Sequence, residues 1–395
     1  MLLTKKIRLK PTPEQEILFW KSAGVARWAY NYFLSENERA WQEYLANGET
    51  GEKSVSEGKV RKYINQVLKK TTHTWLSEVG SNVMKQAVKD ANMAYQAYFK
   101  GISEKPCYKS KRKSKPSFYV NYESLSKKNG GFHGEKIGWV KTSEPLPKLP
   151  KGKKYSNPHI SFDGKYWYLS VGYEVSEIKC KLTGESIGID LGIKELAICS
   201  NGKTYQNINW SRKVRRMEKV LKREQHKLSR KLERNLSSYQ TVWNKRVRVF
   251  IKPLSECRNF QKQKRKIKLV YRKLANIRNN YLHQTTTEIV KTKPSRIVME
   301  RLNVKGMMKN KHLAKAIQKQ KFYEFKRQIC YKCQKYGIEL VEVPTFYPSS
   351  KTCSCCGSMK RDLKLSDRIY RCKKCGLVID RDFNASENLA KYESV

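Results

Sequence analysis

The sequence predicts a mixed α/β protein: a helical module, a β-rich module, and a larger α/β domain carrying two insertions. Three observations predict it. Apolar residues recur at three- and four-residue spacing within residues 11–100 and again within 211–285. An Asp-Gly dipeptide at 163–164 separates two β-rich runs. Two short apolar runs, 186–190 and 296–300, each end on a carboxylate.

Taken in order, Lys6, Ile7, Arg8, Leu9 and Lys10 alternate basic and apolar side chains, the pattern of a short strand. Residues 1–10 are assigned to the β-rich module. Pro11-Thr12-Pro13-Glu14-Gln15 opens a helix, with Thr12 as cap, Pro13 at the first helical position and Gln15 completing a capping box. Ile17, Trp20, Gly24 and Trp28 continue it at helical spacing. Polar residues 47–58 make a loop and residues 59–100 return to helix, so 11–105 form a helical domain. Residues 101–157 are rich in Lys, Gly, Pro and Ser and predict short strands at most. A hairpin follows, His159–Phe162 and Tyr166–Val171, joined through Asp163-Gly164 in the two-residue type I′ manner. Residues 106–182 are the β-rich module and 183–395 the α/β domain.

The chain of 395 residues carries 83 Lys+Arg against 35 Asp+Glu, a net charge of +48. A fold bearing that excess repels itself, so a polyanion is the expected partner. No stretch approaches the roughly 18 consecutive apolar residues of a membrane span. The N-terminus has no apolar signal region, and secretion is not expected. Residues 211–280 hold 24 basic and 4 acidic side chains. They contain two amphipathic patterns: Val214, Met217, Leu221, Leu228, Leu232, and then Ile267, Val270, Leu274, Ile277, Tyr281. These predict a basic helical hairpin inserted at 211–285. Between them, Asn235 to Pro253 is polar with one short Val-rich piece, Val247–Ile251. A merely solvated helix would mix signs to gain i,i+4 pairs, and this one mostly does not. Phosphate contacts are therefore expected from Lys109, Lys111, Arg112, Lys113 and Lys115, from Arg212, Lys213, Arg215 and Arg216, and from Lys264, Arg265 and Lys266.

Asp190 ends the apolar run Ser186-Ile187-Gly188-Ile189-Asp190, and Glu300 ends Arg296-Ile297-Val298-Met299-Glu300. A third acid stands at a helix start in Asp380-Arg381-Asp382-Phe383-Asn384. A single strand-end acid is ordinarily a cap or an ion-pair partner. Three of them in so basic a chain point to hard oxygen ligands for Mg²⁺, held by a few carboxylates plus phosphate oxygens. Two such ions, about 3.5–4 Å apart, stabilise both oxygens of a phosphodiester displacement. Asp380 and Asp382 both remain candidates for the third ligand.

Four of the 11 cysteines stand as Cys353-x₂-Cys356 and Cys372-x₂-Cys375 with 15 residues between the pairs, the zinc-ribbon spacing. Each knuckle is followed by a glycine, Gly357 or Gly376. The ribbon at 346–379 is expected to hold structural Zn²⁺ and to touch the target nucleic acid. Cys355 is a bystander or an alternative ligand, while Cys330 and Cys333 lie on an amphipathic helix without a closing pair. Thiolates kept for zinc imply a reducing cytosol.

These motifs resemble the TnpB (OrfB-type) proteins of insertion sequences, RNA-guided nucleases related to compact type V CRISPR effectors. Ile7–Gln15 resembles the start of the family. Gly188-Ile189-Asp190-Leu191-Gly192 is similar to its first RuvC motif, and Glu300-Arg301-Leu302-Asn303-Val304-Lys305-Gly306-Met307 to its second. The ribbon with Ser350-Lys351-Thr352-Cys353, and Asp380–Ala385, are similar to its C-terminal signature. The resemblance implies a RuvC/ribonuclease-H-like domain at 183–395 with Asp190, Glu300 and Asp382 as catalytic Mg²⁺ ligands, Asp382 being preferred because it stands two residues before Asn384. It further implies a guide RNA, a double-stranded DNA target with a short adjacent motif read by the helical and wedge-like β modules, and a prokaryotic, nucleoid-associated setting. The alternatives are a nuclease-inactive RNA-guided regulator and a guide-free resolvase or transposase.

Overall fold

The structure, a computed structural model, describes residues 1–125, 130–150, 152–176, 178, 180–243, 245–345, 347–364 and 366–393. The chain divides into two units, Leu2–Val175 and Ser176–Val395, the latter with Met1. Among the described residues, no helix is long and apolar enough to cross a membrane.

The first unit begins with β1 (Leu2–Lys10) and α1 (Pro13–Ala46). Thr12 and Gln15 form the expected capping box: the Thr12 hydroxyl accepts from the Gln15 amide at 3.3 Å, and the Gln15 side chain accepts from the Thr12 amide at 3.1 Å. The buried face of α1 is not the one that carries Ile17 and Trp20. Phe19, Ala23, Ala26, Tyr30 and Phe33 enter the core, whereas Ile17 and Trp20 are 58% and 42% exposed. Phe19 decides this by packing edge-on against Trp167 at 5.2 Å and against Phe118 at 5.7 Å. Residues 59–100 are not one helix. α2 (Glu57–Tyr63) runs into a π-helical turn, Ile64–Leu68, and a 3₁₀ turn, Thr74–Glu78, precedes α3 (Ser81–Phe99). The β-branched pair Thr71-Thr72 and then Gly80 disfavour continuation through the gap.

β2 (Ser117–Tyr119), β3 (Gly131–Gly134), β4 (Gly138–Thr142), β5 (Ser156–Phe162) and β6 (Trp167–Glu174) join β1 in one antiparallel sheet, ordered β2-β5-β6-β1-β4-β3. β1 is thus interior, with Ile7 opposite Leu169. Helices and sheet share a single core. The β5–β6 connection departs from the expected type I′ turn. Phe162 pairs with Trp167, so the loop is Asp163–Tyr166. The Asp163 carboxylate accepts from the amides of Lys165 and Tyr166 at 3.0 and 2.9 Å, and only Gly164 takes a positive φ, +101°. The Asp side chain thereby replaces a second left-handed residue.

The second unit starts with β7 (Ser186–Asp190), β8 (Glu195–Cys199) and β9 (Thr204–Gln206), an antiparallel meander. The basic insertion follows: α4 (Arg212–Glu233), β10 (Leu236–Val242), β11 (Lys245–Phe250) and α5 (Arg258–Lys291). Next come β12 (Arg296–Glu300), α6 (Val304–Met307), α7 (Ala314–Gln320), α8 (Phe322–Tyr336) and β13 (Glu339–Val343). The ribbon strands β14 (Ile369–Arg371) and β15 (Val378–Asp380) lead into α9 (Arg381–Ala390). The main sheet is ordered β13-β12-β7-β8-β9, with β12 and β13 parallel to β7. Alternate residues divide between its faces. Ile187, Ile189, Ile297 and Met299 pack with Leu282 and Ile289 of α5 and Phe325 and Ile329 of α8, whereas Val298 and Val343 meet Leu389 of α9.

α4 and α5 pair as the expected hairpin, but the stripe on α4 is shallow. Val214 is buried, while Met217, Leu221, Leu228 and Leu232 are only half-buried. The joint is partly polar: the Gln263 amide donates to the Glu224 carboxylate at 2.7 Å and to its carbonyl at 3.0 Å. The segment expected to be merely polar, Asn235 to Pro253, contains the antiparallel ribbon of β10 and β11. α5 and α8 are joined by a buried lysine. Lys332 donates to the His283 carbonyl at 3.0 Å and to the hydroxyls of Thr286 and Thr287 at 2.6 and 2.7 Å. Burial pulls its pKa down to about 8.

Candidate metal centres

Asp190 and Glu300 are the last residues of neighbouring parallel strands. Met299 is in register with Ile189, so the next residues, the two acids, stand level at the same sheet end. The third acid arrives on α9, which docks on β7 where Gly188 leaves room. A Cβ on Gly188 would overlap the Ser386 carbonyl oxygen and the Ala390 amide nitrogen. Asp380 and Asp382 separate in role. The Asp380 carboxylate caps α9, accepting from the amides of Asp382 and Phe383 at 2.9 and 3.0 Å. Asp382 faces cations instead: Arg381 Nη2 and Nε at 2.7 and 2.9 Å, and Arg368 Nη1 at 3.8 Å.

The electrostatics of Asp190 reflect this gathering. Its pKa is pushed up to about 7, first by loss of water, then by the charges of Glu300 and Asp382, against a smaller opposing pull from Arg381. Glu300 accepts a hydrogen bond from the Ser349 hydroxyl. A cleft of about 230 Å³ opens beside it, lined by Leu191, Met299, Asn303, Tyr323 and Lys326. The three carboxylates do not close into one tight ligand set; among the described residues, only a cysteine cluster has all its ligand atoms within 4.8 Å of one another. A desolvated carboxylate flanked by two others, with hard oxygen donors throughout, fits Mg²⁺.

The cysteine cluster is the expected one: Cys353, Cys356, Cys372 and Cys375. The Sγ atoms of Cys353 and Cys375 lie 3.6 Å apart, as do those of Cys356 and Cys372. Each knuckle closes through a glycine amide, Gly357 to the Cys353 carbonyl at 3.0 Å and Gly376 to that of Cys372 at 3.2 Å. Both glycines are left-handed, at φ +70° and +74°. Four converging thiols at these separations fit a tetrahedral Zn²⁺. Cys355 is exposed and outside the set; Cys330 and Cys333 lie on α8 as expected.

Sequence reasoning missed the ties between the two centres. The Asn384 side chain accepts from the Ser354 amide at 2.9 Å and donates to the Thr352 carbonyl at 2.7 Å. Asn388 donates to the carbonyls of Ser349 and Thr352, both at 2.7 Å. The first knuckle is thus fastened to the helix that carries Asp382, and Ser349 in the same segment holds Glu300. The signal available was two Asn residues one helical turn apart beside the third acid.

The basic candidates behave unequally. Lys111, Arg112, Lys113, Lys115, Arg212, Lys213, Arg215, Arg216, Arg265 and Lys266 are exposed, and Lys264 is half-buried. Lys109 is exposed as well, but its Nζ sits 3.5 Å over the Tyr30 ring and partial loss of water lowers its pKa.

Three family profiles match the chain: "Cas12f1-like, TNB domain" over residues 322–389, "Probable transposase" over 170–311 and "Helix-turn-helix domain" over 1–45. Residues 1–45 here are a strand and most of one helix. A protein of Streptomyces pristinaespiralis named "Putative RNA-guided DNA endonuclease" is 30% identical over 97% of this chain and 87% of its own length. The Escherichia coli (strain K12) protein named "Putative RNA-guided DNA endonuclease InsQ" is 28% identical over 97% of this chain and 90% of its own. Among solved structures, the protein of a Cas12f1–sgRNA–target DNA complex aligns over 99% of both chains, with a TM-score of 0.54 at 13% identity.

Proposed function

This chain belongs to the TnpB (OrfB-type) family, and on that premise we propose that it is an RNA-guided DNA endonuclease of an insertion-sequence element. On this reading it cuts DNA beside a short adjacent motif by Mg²⁺-dependent phosphodiester hydrolysis in a RuvC-type domain. The observation that carries the catalytic part is the desolvated Asp190, level with Glu300 and raised by the charges of Glu300 and Asp382. The central position of β7 in a meander extended by two parallel strands supports the RuvC-type assignment.

Asp190, Glu300 and Asp382 would hold the metal. When bound, a pair of Mg²⁺ ions supplies charge stabilisation to the attacking and leaving oxygens. The chain does the rest. Ser349 orients Glu300. Arg381 neutralises Asp382. The exposed Lys/Arg of α4 and α5 hold the guide–target heteroduplex by its backbone while base pairing selects the sequence. The helical and β modules of the first unit read the adjacent motif, and the Zn²⁺-stapled ribbon guides the strand. Asp190→Ala is expected to abolish cutting of a matched target while guide and target binding persist. Cleavage by the purified variant would sink the assignment.

A further inference from the structure

The ribbon of β10 and β11 has no place in either core. Residues 237–243 and 246–248 are exposed, and none of its described residues is buried. Its chemistry is nonetheless sorted. Tyr239 pairs with Arg248 and Thr241 with Arg246, so these four share one face, and the Arg246 guanidinium lies 4.0 Å over the Tyr239 ring. The other face carries Ser238, Gln240, Val242, Val247 and Val249. Between Glu233 and Glu256 there are five basic residues and no acid.

The tip is stranger still. Val242 pairs with Lys245, and Trp243, the turn residue that follows Val242, has φ +51°. That position is ordinarily taken by Gly, Asn or Asp, because a Cβ is strained there. Here it holds the largest side chain, 93% exposed. Both the backbone strain and the solvated indole are unfavourable, and no contact within the fold repays either.

We propose that this ribbon is an RNA-contacting element: Arg246 and Arg248 grip phosphates, and Trp243 stacks on an unpaired base of the guide RNA. Basic charge fits a polyanion, and an exposed ring needs an unstacked base, which folded RNA offers in its loops and bulges. Distance selects the guide over the strand being cut. α4 has 22 residues and so puts about 33 Å of helix between its start after β9 and the ribbon. The inference rests on the RNA-guided reading above.

The probe is the RNA extracted from the purified wild-type protein, end-labelled and rebound to stripped full-length variants. Arg246→Ala combined with Arg248→Ala is expected to weaken binding about tenfold and to flatten the salt dependence by roughly 1.5 in log–log slope. Trp243→Ala should weaken it about tenfold without changing that slope, and Trp243→Phe should restore most of the loss. RNA-loaded variants should bind and cut a matched duplex as the wild type does. Unchanged RNA affinity in all three variants overturns the ribbon's role, as does a loss confined to duplex DNA. If the wild-type protein carries no discrete RNA, the guided reading falls and this inference with it; discrete RNA bound equally by all variants removes the ribbon alone.

Discussion

Two ligand sets lie close together in the second unit and are built in opposite ways. The cysteines come from two knuckles within 23 residues of chain, and their sulfurs already stand 3.6 Å apart in pairs. The carboxylates come from residues 190, 300 and 382, reach one another only through strand register and helix docking, and stay apart. A thiol cage can close through neutral, hydrogen-bonded sulfur. Clustered acids instead raise one another's pKa, as Asp190 shows. The cysteine cage is therefore a local arrangement, and the acid cluster is a global one. The asparagines of α9 make the second depend on the first.

The hardest way to break that dependence is Cys372→Ser. It should abolish stoichiometric zinc, measured by metal analysis, and forfeit on the order of 10 kcal/mol of binding-coupled folding in the ribbon. If cutting survived with zinc absent, the coupling through Asn384 and Asn388 would be unnecessary.

Exchanging the two neighbouring acids sharpens the comparison. Asp382→Asn should lower the cleavage rate by about a thousandfold or more, several kcal/mol of transition-state stabilisation. Asp380→Asn should keep cutting, since Asn still caps and the expected loss is under about 1 kcal/mol in thermal unfolding. The reverse pattern would move the third ligand to Asp380.

Gly188→Ala strikes only the global device. The added methyl meets backbone of α9, so a destabilisation of about 3 kcal/mol is expected, with reduced cutting and unchanged zinc content. Parallel loss of zinc would mean that the cage leans on the sheet.

Lys332 is a third buried charge, satisfied by neutral oxygens alone. Its folded pKa of about 8 lies below the ordinary 10.5, so in that window the unfolded chain binds more protons and stability rises with pH. Lys332→Met should remove this rise and stabilise the unit below pH 8, on the order of 1–3 kcal/mol. Thermal melts from pH 7 to 10.5 check it; an unaltered profile would show that the ammonium is well solvated.

What the sequence made legible follows the same division. The four cysteines were readable from spacing, since a local site needs only a local pattern. Asp190 and Glu300 were readable because each interrupts an apolar strand. Asp382 over Asp380 rested on likeness to relatives; physically, Asp380 caps α9 while Asp382 faces Arg381 and acts on Asp190. Periodicity left the buried face of α1 open, because Ile17-Trp20-Gly24-Trp28 is as periodic as Phe19-Ala23-Ala26-Tyr30-Phe33. Periodicity cannot choose between two apolar stripes when Phe118 and Trp167, over ninety residues away, make the choice. The β10–β11 ribbon escaped because neither strand buries a face, which removes the alternation that reveals a strand.

Gly188 and α9 have a temporal consequence. The first acid is followed by 192 residues before Asp382 is made. At about 5–20 residues per second of synthesis, the helix that completes the acid cluster emerges roughly 10–40 s after β7. Throughout that interval a nascent chain displays its basic α4 and α5 but only part of its acid set. Nucleic acid can therefore meet the basic hairpin before the acid cluster is complete.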